Sequence, residues 1–313
     1  IVCSLVGSEM CIRDSLSDEH VRMALYSSQL KNLLLLNKGK VRDIYSIDDD
    51  RMLIVTTDRL SAFDVIMSEP IPNKGKILTQ MSNFWFKKLA HITPNHLLED
   101  DPKSFVNESE IEQIEGRSIV VKKLLPIPIE AIVRGYLAGS GWNEYQESKT
   151  VCGINLPDHL QQASKLQNPI FTPSSKASQG EHDENISLST CETLIGKDLA
   201  EQISKISLEL YQAASIFAES KGIIIADTKF EFGLDKDGML YLIDEALTPD
   251  SSRFWPKEDY QTGISPPSFD KQYVRDWLES VTWNKSAPAP NLPEEVVANT
   301  STKYLEVYSR LSG

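Results

Sequence analysis

Two periodicities alternate along the chain. Strand-forming residues flank Gly39 across Leu34–Ile47, Asp48-Asp49-Asp50 reads as a turn, and Met52–Thr57 follows, so the opening predicts a hairpin. Ile77, Met81, Phe84, Trp85 and Leu89 recur at helical spacing and predict a helix over Lys76–Ala90. Ser118–Leu125 and Ile129–Tyr136 read as strands punctuated by Pro126 and Pro128. Trp142–Ser189 has few apolar runs and three prolines, and predicts a long loop-rich stretch, functional or mobile. Leu199, Ile203, Ile206, Leu210, Ala213 and Phe217 form one stripe, predicting a core helix over Lys197–Lys221 that Gly222 ends. Ile223–Phe232 and Met239–Ile243 read as strands joined at Asp237-Gly238, and Asp270–Glu279 and Pro293–Leu311 as closing helices. Mixed strands with helices grouped late predict an α+β architecture of two lobes. The expected division is 1–15 as a non-native or disordered extension, 16–125 as a β-rich lobe and 126–313 as an α+β lobe.

Composition narrows the function. Of 313 residues, 41% are hydrophobic and 25% charged, which excludes a largely disordered chain, a collagen and a coiled coil. The net charge of −13 disfavours nucleic acid and anionic lipid as partners, so any phosphate must be held by cations concentrated locally. Cys3, Cys11, Cys152 and Cys191 lack C-x-x-C spacing, and no uncharged run is long enough to span a bilayer, so a reduced, cytoplasmic protein is expected.

Four stretches carry candidate chemistry. Lys38-Gly39-Lys40-Val41-Arg42-Asp43 could hold a polyphosphate, and reads equally as a basic turn. Pro128–Arg134, followed by Ala138-Gly139-Ser140-Gly141, suits a carboxylate or phosphate, or is a surface arginine beside a flexible loop. Ser174–Asn185 is almost wholly polar: a solvated connection, or a substrate lid using Lys176 and His182. His182 has no partner at zinc-ligand spacing. The most informative stretch is Asp227–Gly233 with Asp244–Arg253. Asp227, Lys229 and Glu231 share one strand face, and a two-residue turn at Asp237-Gly238 sets Glu231 opposite Asp244. Such a carboxylate pair suits Mg²⁺, which takes one or two carboxylates plus phosphate oxygens.

Together these stretches resemble the SAICAR synthetase family from about Leu34 to the C-terminus, most specifically at Pro128–Ser140 and Ile225–Gly233. The resemblance implies a kinase-like two-lobed fold with antiparallel sheets and a nucleotide cleft between the lobes. It implies an ATP-dependent ligase that joins L-aspartate to the carboxylate of carboxyaminoimidazole ribonucleotide (CAIR) through an acyl phosphate, with Mg²⁺ as cofactor. By position, Lys40, Arg42 and Lys123 would bind ATP, Asp227 and Lys229 would line the reacting centre, and Glu231 and Asp244 would hold Mg²⁺. Arg134, Ser140, Lys176, Asp250 and Arg253 would bind substrate. Two rivals remain: a small-molecule phosphotransferase on a similar fold, without the kinase H-R-D and D-F-G motifs, and a non-enzymatic nucleotide- or metal-binding module.

Overall fold

The computed structural model describes residues 24–176 and 184–313. The chain begins with β1 (Leu34–Lys38), β2 (Arg42–Ser46) and β3 (Arg51–Thr56), then a small ribbon of β4 (Ser61–Ala62) and β5 (Val65–Ile66). Helix α1 (Lys74–Leu89) and β6 (Ser118–Lys122) follow. The first sheet is antiparallel in the order β1-β2-β3-β6. Its inward side chains Tyr45, Leu53, Val55 and Val120 make a small core with Leu30 and Ile114.

The chain crosses to a second sheet at β7 (Leu125–Pro126) and continues as β8 (Ile129–Tyr136). Where a loop-rich stretch is expected, the structure has α2 (Gly139–Ser148), β9 (Thr150–Val151), β10 (Ile154–Asn155), β11 (Lys165–Phe171), β12 (Ser174–Ser175) and β13 (Glu184–Asn185). Most are two-residue pairings, and β11 alternates unevenly, with exposed Lys165, Gln167 and Asn168. A periodicity reading has little to register there. Helices α3 (Leu188–Ile195) and α4 (Lys197–Ser220) lead into β14 (Ile223–Leu234), β15 (Leu240–Ile243), β16 (Ser252–Pro256), α5 (Gln272–Ser280) and α6 (Glu294–Ser312).

Twelve-residue β14 is the spine of the second sheet. It pairs with β7 and β8 along one edge and with β16 and β15 along the other, all antiparallel. Alternation then sorts its two faces. Ala131, Val133, Phe230 and Phe232 point into the main core with Ile203, Leu210, Ala214 and Ala218 of α4. Glu130 and Arg134 on β8, and Asp227, Lys229 and Glu231 on β14, occupy the opposite, polar face. Helices α5 and α6 return to pack Val274, Leu278, Val296 and Val297 on Leu60, Ala62, Met67 and Ile71, so the end of the chain braces its beginning.

Candidate active site

The register of three strands builds the floor of the site. Asp227 lies opposite Arg134 on β8 and opposite Arg253 on β16, so one carboxylate sits between two guanidinium groups. Asp227 Oδ2 accepts from Arg134 Nη1 at 3.0 Å and from Arg253 Nη1 at 2.5 Å. Arg134 is buried and spends its other donors on Thr172 Oγ1 and Ser140 Oγ, each at 3.0 Å. Two residues along, Lys229 Nζ donates to Glu130 at 2.5 Å and to Glu231 at 3.2 Å. Lys176 reaches Glu231 from the end of β12 at 2.5 Å. Burial opposes charge at both Lys229 and Glu231. The paired acids nevertheless hold the Lys229 ammonium well above the usual lysine range, and Lys229 and Lys176 hold the Glu231 carboxyl down at about 2.

The expected Glu231–Asp244 cross-strand pair is absent from the ladder: Glu231 lies opposite Ile243. The turn is longer than the Asp237-Gly238 signal implies. Asp235 Oδ1 accepts the N–H groups of Asp237 and Met239, the Asp235 N–H donates to Met239 O, and Gly238 takes φ 80°. The loop is therefore Lys236-Asp237-Gly238, closed by an Asx turn, and the register slips by one residue. Asp244 follows the strand with φ 62°, a conformation asparagine and aspartate tolerate best among non-glycine residues.

There Asp244 meets the first sheet. Arg42 Nη1 donates to both Asp244 oxygens, at 3.0 and 3.2 Å, and Arg42 Nη2 pairs with Glu245 at 2.5 Å. Burial raises the Asp244 carboxyl to about 6; Arg42 pulls it down, while Glu231 and Glu245 push it further up. Asp244 and Glu245 share Arg42, two acids on one cation, and carboxylate oxygens so placed fit a divalent cation shared with phosphate oxygens. The Gly39–Lys40 turn above is held by buried Arg59, whose guanidinium donates to Gly39 O at 2.9 Å, Lys40 O at 3.2 Å and Asp43 at 2.7 Å. Lys40 itself pairs with Asp64 at the surface.

Not every expected residue joins this cluster. Lys123 stands exposed past the end of β6, with its backbone N–H on Asp50 O at 2.8 Å. Its neighbour Lys122 is the one that crosses to Tyr241, at 3.0 Å. Asp250 is buried, paired with Lys74 at 2.7 Å and Lys271 at 3.4 Å, and accepts from Tyr304 at 3.0 Å. Residues 177–183 of the polar loop, His182 among them, lie outside the described residues; the β12–β13 pairing joins its two ends. Glu130, Glu245 and Arg59 join the cluster as partners that the sequence motifs do not single out. Alternation could have found Glu130, four residues before Arg134 on one strand face. Nothing local announces contacts spanning 202 residues, as between Arg42 and Asp244.

This arrangement has close relatives. Residues 35–290 match the family model described as SAICAR synthetase. A phosphoribosylaminoimidazole-succinocarboxamide synthase of Methylobacillus flagellatus is 62% identical over 92% of this chain and 98% of its own length. The chain belongs to the SAICAR synthetase family. The synthase of the same name from Cupriavidus metallidurans is 61% identical over 93% of this chain and 98% of its own. Among solved structures, the SAICAR synthase of Saccharomyces cerevisiae, complexed with SAICAR, superposes with a TM-score of 0.84 at 42% identity, covering 93% of this chain and 98% of that one. A SAICAR synthetase in complex with ADP superposes with a TM-score of 0.67 at 26% identity, covering 88% and 97%. As a member of this family the chain is an ATP-dependent ligase of purine biosynthesis on the kinase-like two-lobed fold.

Proposed function

We propose that the polar face of the second sheet is where this ligase joins L-aspartate to the CAIR carboxylate. The observation that carries the reading is Asp227 set by strand register between Arg134 and Arg253, with Lys229 two residues and Glu231 four residues along the same strand face. Arg134, Arg253 and Ser140 offer charge-assisted donors to the ribonucleotide's anionic groups, and Lys176 and Lys229 stand over the reacting carboxylate. Lys40 and Arg42 face the ATP phosphates from the first sheet. Arg42 exchanges contacts with Asp244 and Glu245 for contacts with phosphate.

The substrate carboxylate oxygen attacks the γ-phosphorus, the bond to the ADP oxygen breaks, and an acyl phosphate forms. The aspartate amine then attacks the acyl carbon, inorganic phosphate leaves with the bonding pair, and the amine gives up a proton as the amide forms. Glu231 and Asp244 would hold Mg²⁺, which when bound neutralises charge on the phosphates. Protein groups supply alignment and fixed positive charge rather than a nucleophile. A cytoplasmic setting accords with the free, buried thiols of Cys152 and Cys191.

The test is ADP release measured with each substrate omitted in turn. A ligase requires both CAIR and aspartate. ADP formation at full rate without aspartate would make the protein a kinase and overturn the reading, as would nucleotide binding with no turnover.

A further inference from the structure

Alternation along β14 changes sense part-way. Ile223 and Ile225 point into the main core, and so do Phe230 and Phe232. Odd-numbered residues therefore face the core before Ala226, and even-numbered ones after it. The switch is a bulge in the pairing with β16: Ile225 lies opposite Phe254 and Asp227 opposite Arg253, which leaves Ala226 as an extra residue. Unbroken alternation would carry Asp227, Lys229 and Glu231 into the core with Ile223 and Ile225. The polar face of the site depends on this one residue.

Helix α4 holds the bulge from the core side. Buried Tyr211 donates its hydroxyl to Ile225 O at 2.7 Å, on the residue just before the extra one. Gly135 gives the hydroxyl room, since a Cβ there would lie 1.9 Å from its oxygen. Gly135 directly follows Arg134, and the β8–β14 ladder ends at the Arg134–Asp227 pair. The phenol thus fills the gap between the two strands just past that ion pair. A cavity of about 170 Å³ adjoins the same spot, lined in part by Gly135, Tyr211, Ser215 and Ile225. If the hydroxyl goes, Ile225 O is left facing open space and the bulge loses its side-chain anchor. Burial above all pushes the Tyr211 phenol beyond the usual tyrosine range, which keeps it a neutral donor at neutral pH.

We propose that Tyr211 is a positioning residue for the ligase reaction: its hydroxyl fixes the bulge at Ala226, and the bulge aims Asp227 at Arg134 and Arg253. This rests on the placement of the reacting centre given above, and adds to it a residue that acts from the opposite face of the sheet.

The experiment compares Tyr211→Phe, Asp227→Asn and the double variant with wild type in steady-state kinetics, below melting temperatures measured for each. Tyr211→Phe removes one hydroxyl and keeps the ring. It is expected to lower kcat/KM for CAIR roughly ten-fold, a smaller displacement than the ~1 Å that costs about a hundred-fold, with KM for ATP within about two-fold. In the Asp227→Asn background the same change should cost less than about two-fold, because Tyr211 acts through Asp227. Gly135→Ala pushes the hydroxyl off Ile225 O from the other strand, and should reproduce the selective loss should Tyr211→Phe fail to fold. An unchanged kcat/KM for CAIR, an equal loss for ATP, or a full ten-fold loss on top of Asp227→Asn overturns the proposal. Asp227→Asn alone separates the two levels of inference. If it impairs turnover of CAIR and Tyr211→Phe does not, only the proposal fails; if neither matters, Asp227 is not at the reacting centre and that placement fails too.

Discussion

The first sheet and the second both bury arginine–aspartate contacts, and they bury them differently. In the first, Arg59 pairs with Asp43 and Arg117 with Asp58, one cation to one anion, both carboxylates essentially inaccessible. Backbone groups complete these pairs: Asp43 also accepts from Ser28, Asp58 accepts from the N–H groups of Leu25 and Gly75, and Arg59 donates to three carbonyls. In the second sheet, one carboxylate, Asp227, serves two arginines, and Arg253 keeps part of its surface open to a cavity of about 510 Å³ at the start of α2. A matched pair closed on itself can only hold structure. A surplus of cations facing a cavity costs stability unless an anion arrives, so the count of charges, more than their burial, separates scaffold from site.

The sharpest break of that contrast is Arg117→Met. It leaves Asp58 buried without its cation, and removing one partner of a buried pair costs about 3–5 kcal/mol. For a chain of this size that corresponds to a fall in melting temperature on the order of 10 °C, with KM values unchanged below the transition. A variant that melts normally but binds ATP or CAIR poorly would move Arg117 into the functional class.

Asp227→Asn should do the reverse. It keeps the shape but lets Arg134 and Arg253 repel each other and drift from their aligned positions. Misplacement of about 1 Å costs roughly a hundred-fold in rate, or about 2.7 kcal/mol. The melting temperature should fall less than in Arg117→Met, and added inorganic phosphate should raise it more in the variant than in wild type, since an anion replaces the lost charge. Equal phosphate effects in both would mean the arginines are not poised for an anion.

How far the sequence reveals this contrast depends on range. Asp227, Lys229 and Glu231 are legible because alternation along one strand is local, and Arg134 because its strand is bounded by prolines. The register across the β14–β15 turn departs from the local signal because one side chain, Asp235, closes a three-residue loop where Asp-Gly signals a two-residue one. Arg59, under the Gly39–Lys40 turn, becomes visible only once distant elements pack.

His96 lies on the seam between the two regions, its N–H donating to Leu242 O at 3.1 Å and the Lys122 N–H donating to His96 O at 2.8 Å. Burial, aided by the charge of Arg42, lowers its pKa to about 3, and its Nε2 has no partner among the described residues. An unfolded chain protonates this residue near pH 6.5, while the folded one does not until about pH 3. The contribution to stability is therefore full above pH 6.5 and is lost as the pH falls, by about 1.4 kcal/mol per unit. His96→Leu should flatten the acid limb of the stability curve by about that amount between pH 5.5 and 4.5. An unaltered slope in urea titrations would show that His96 is protonated in place.

The smallest effect belongs to Lys40–Asp64, where the two regions' rules meet. Both side chains are about half exposed, at 53% and 40%, so the pair should add no more than about 1 kcal/mol to stability. Its place is functional: Lys40 sits on the turn fixed by Arg59, and Asp64 borders the cavity beside Arg253. If Lys40 meets the ATP phosphates as proposed, Asp64 competes with them for the same ammonium. Asp64→Asn removes the charge while keeping a residue that tolerates the φ of 62° found there. Stability should change by less than about 0.5 kcal/mol, and KM for ATP should fall by roughly two-fold as Lys40 is released. A loss of more than 1 kcal/mol with no change in KM would put this pair with Arg59–Asp43, as scaffold. A rise in KM would show that Asp64 holds Lys40 in place for the nucleotide instead of competing with it.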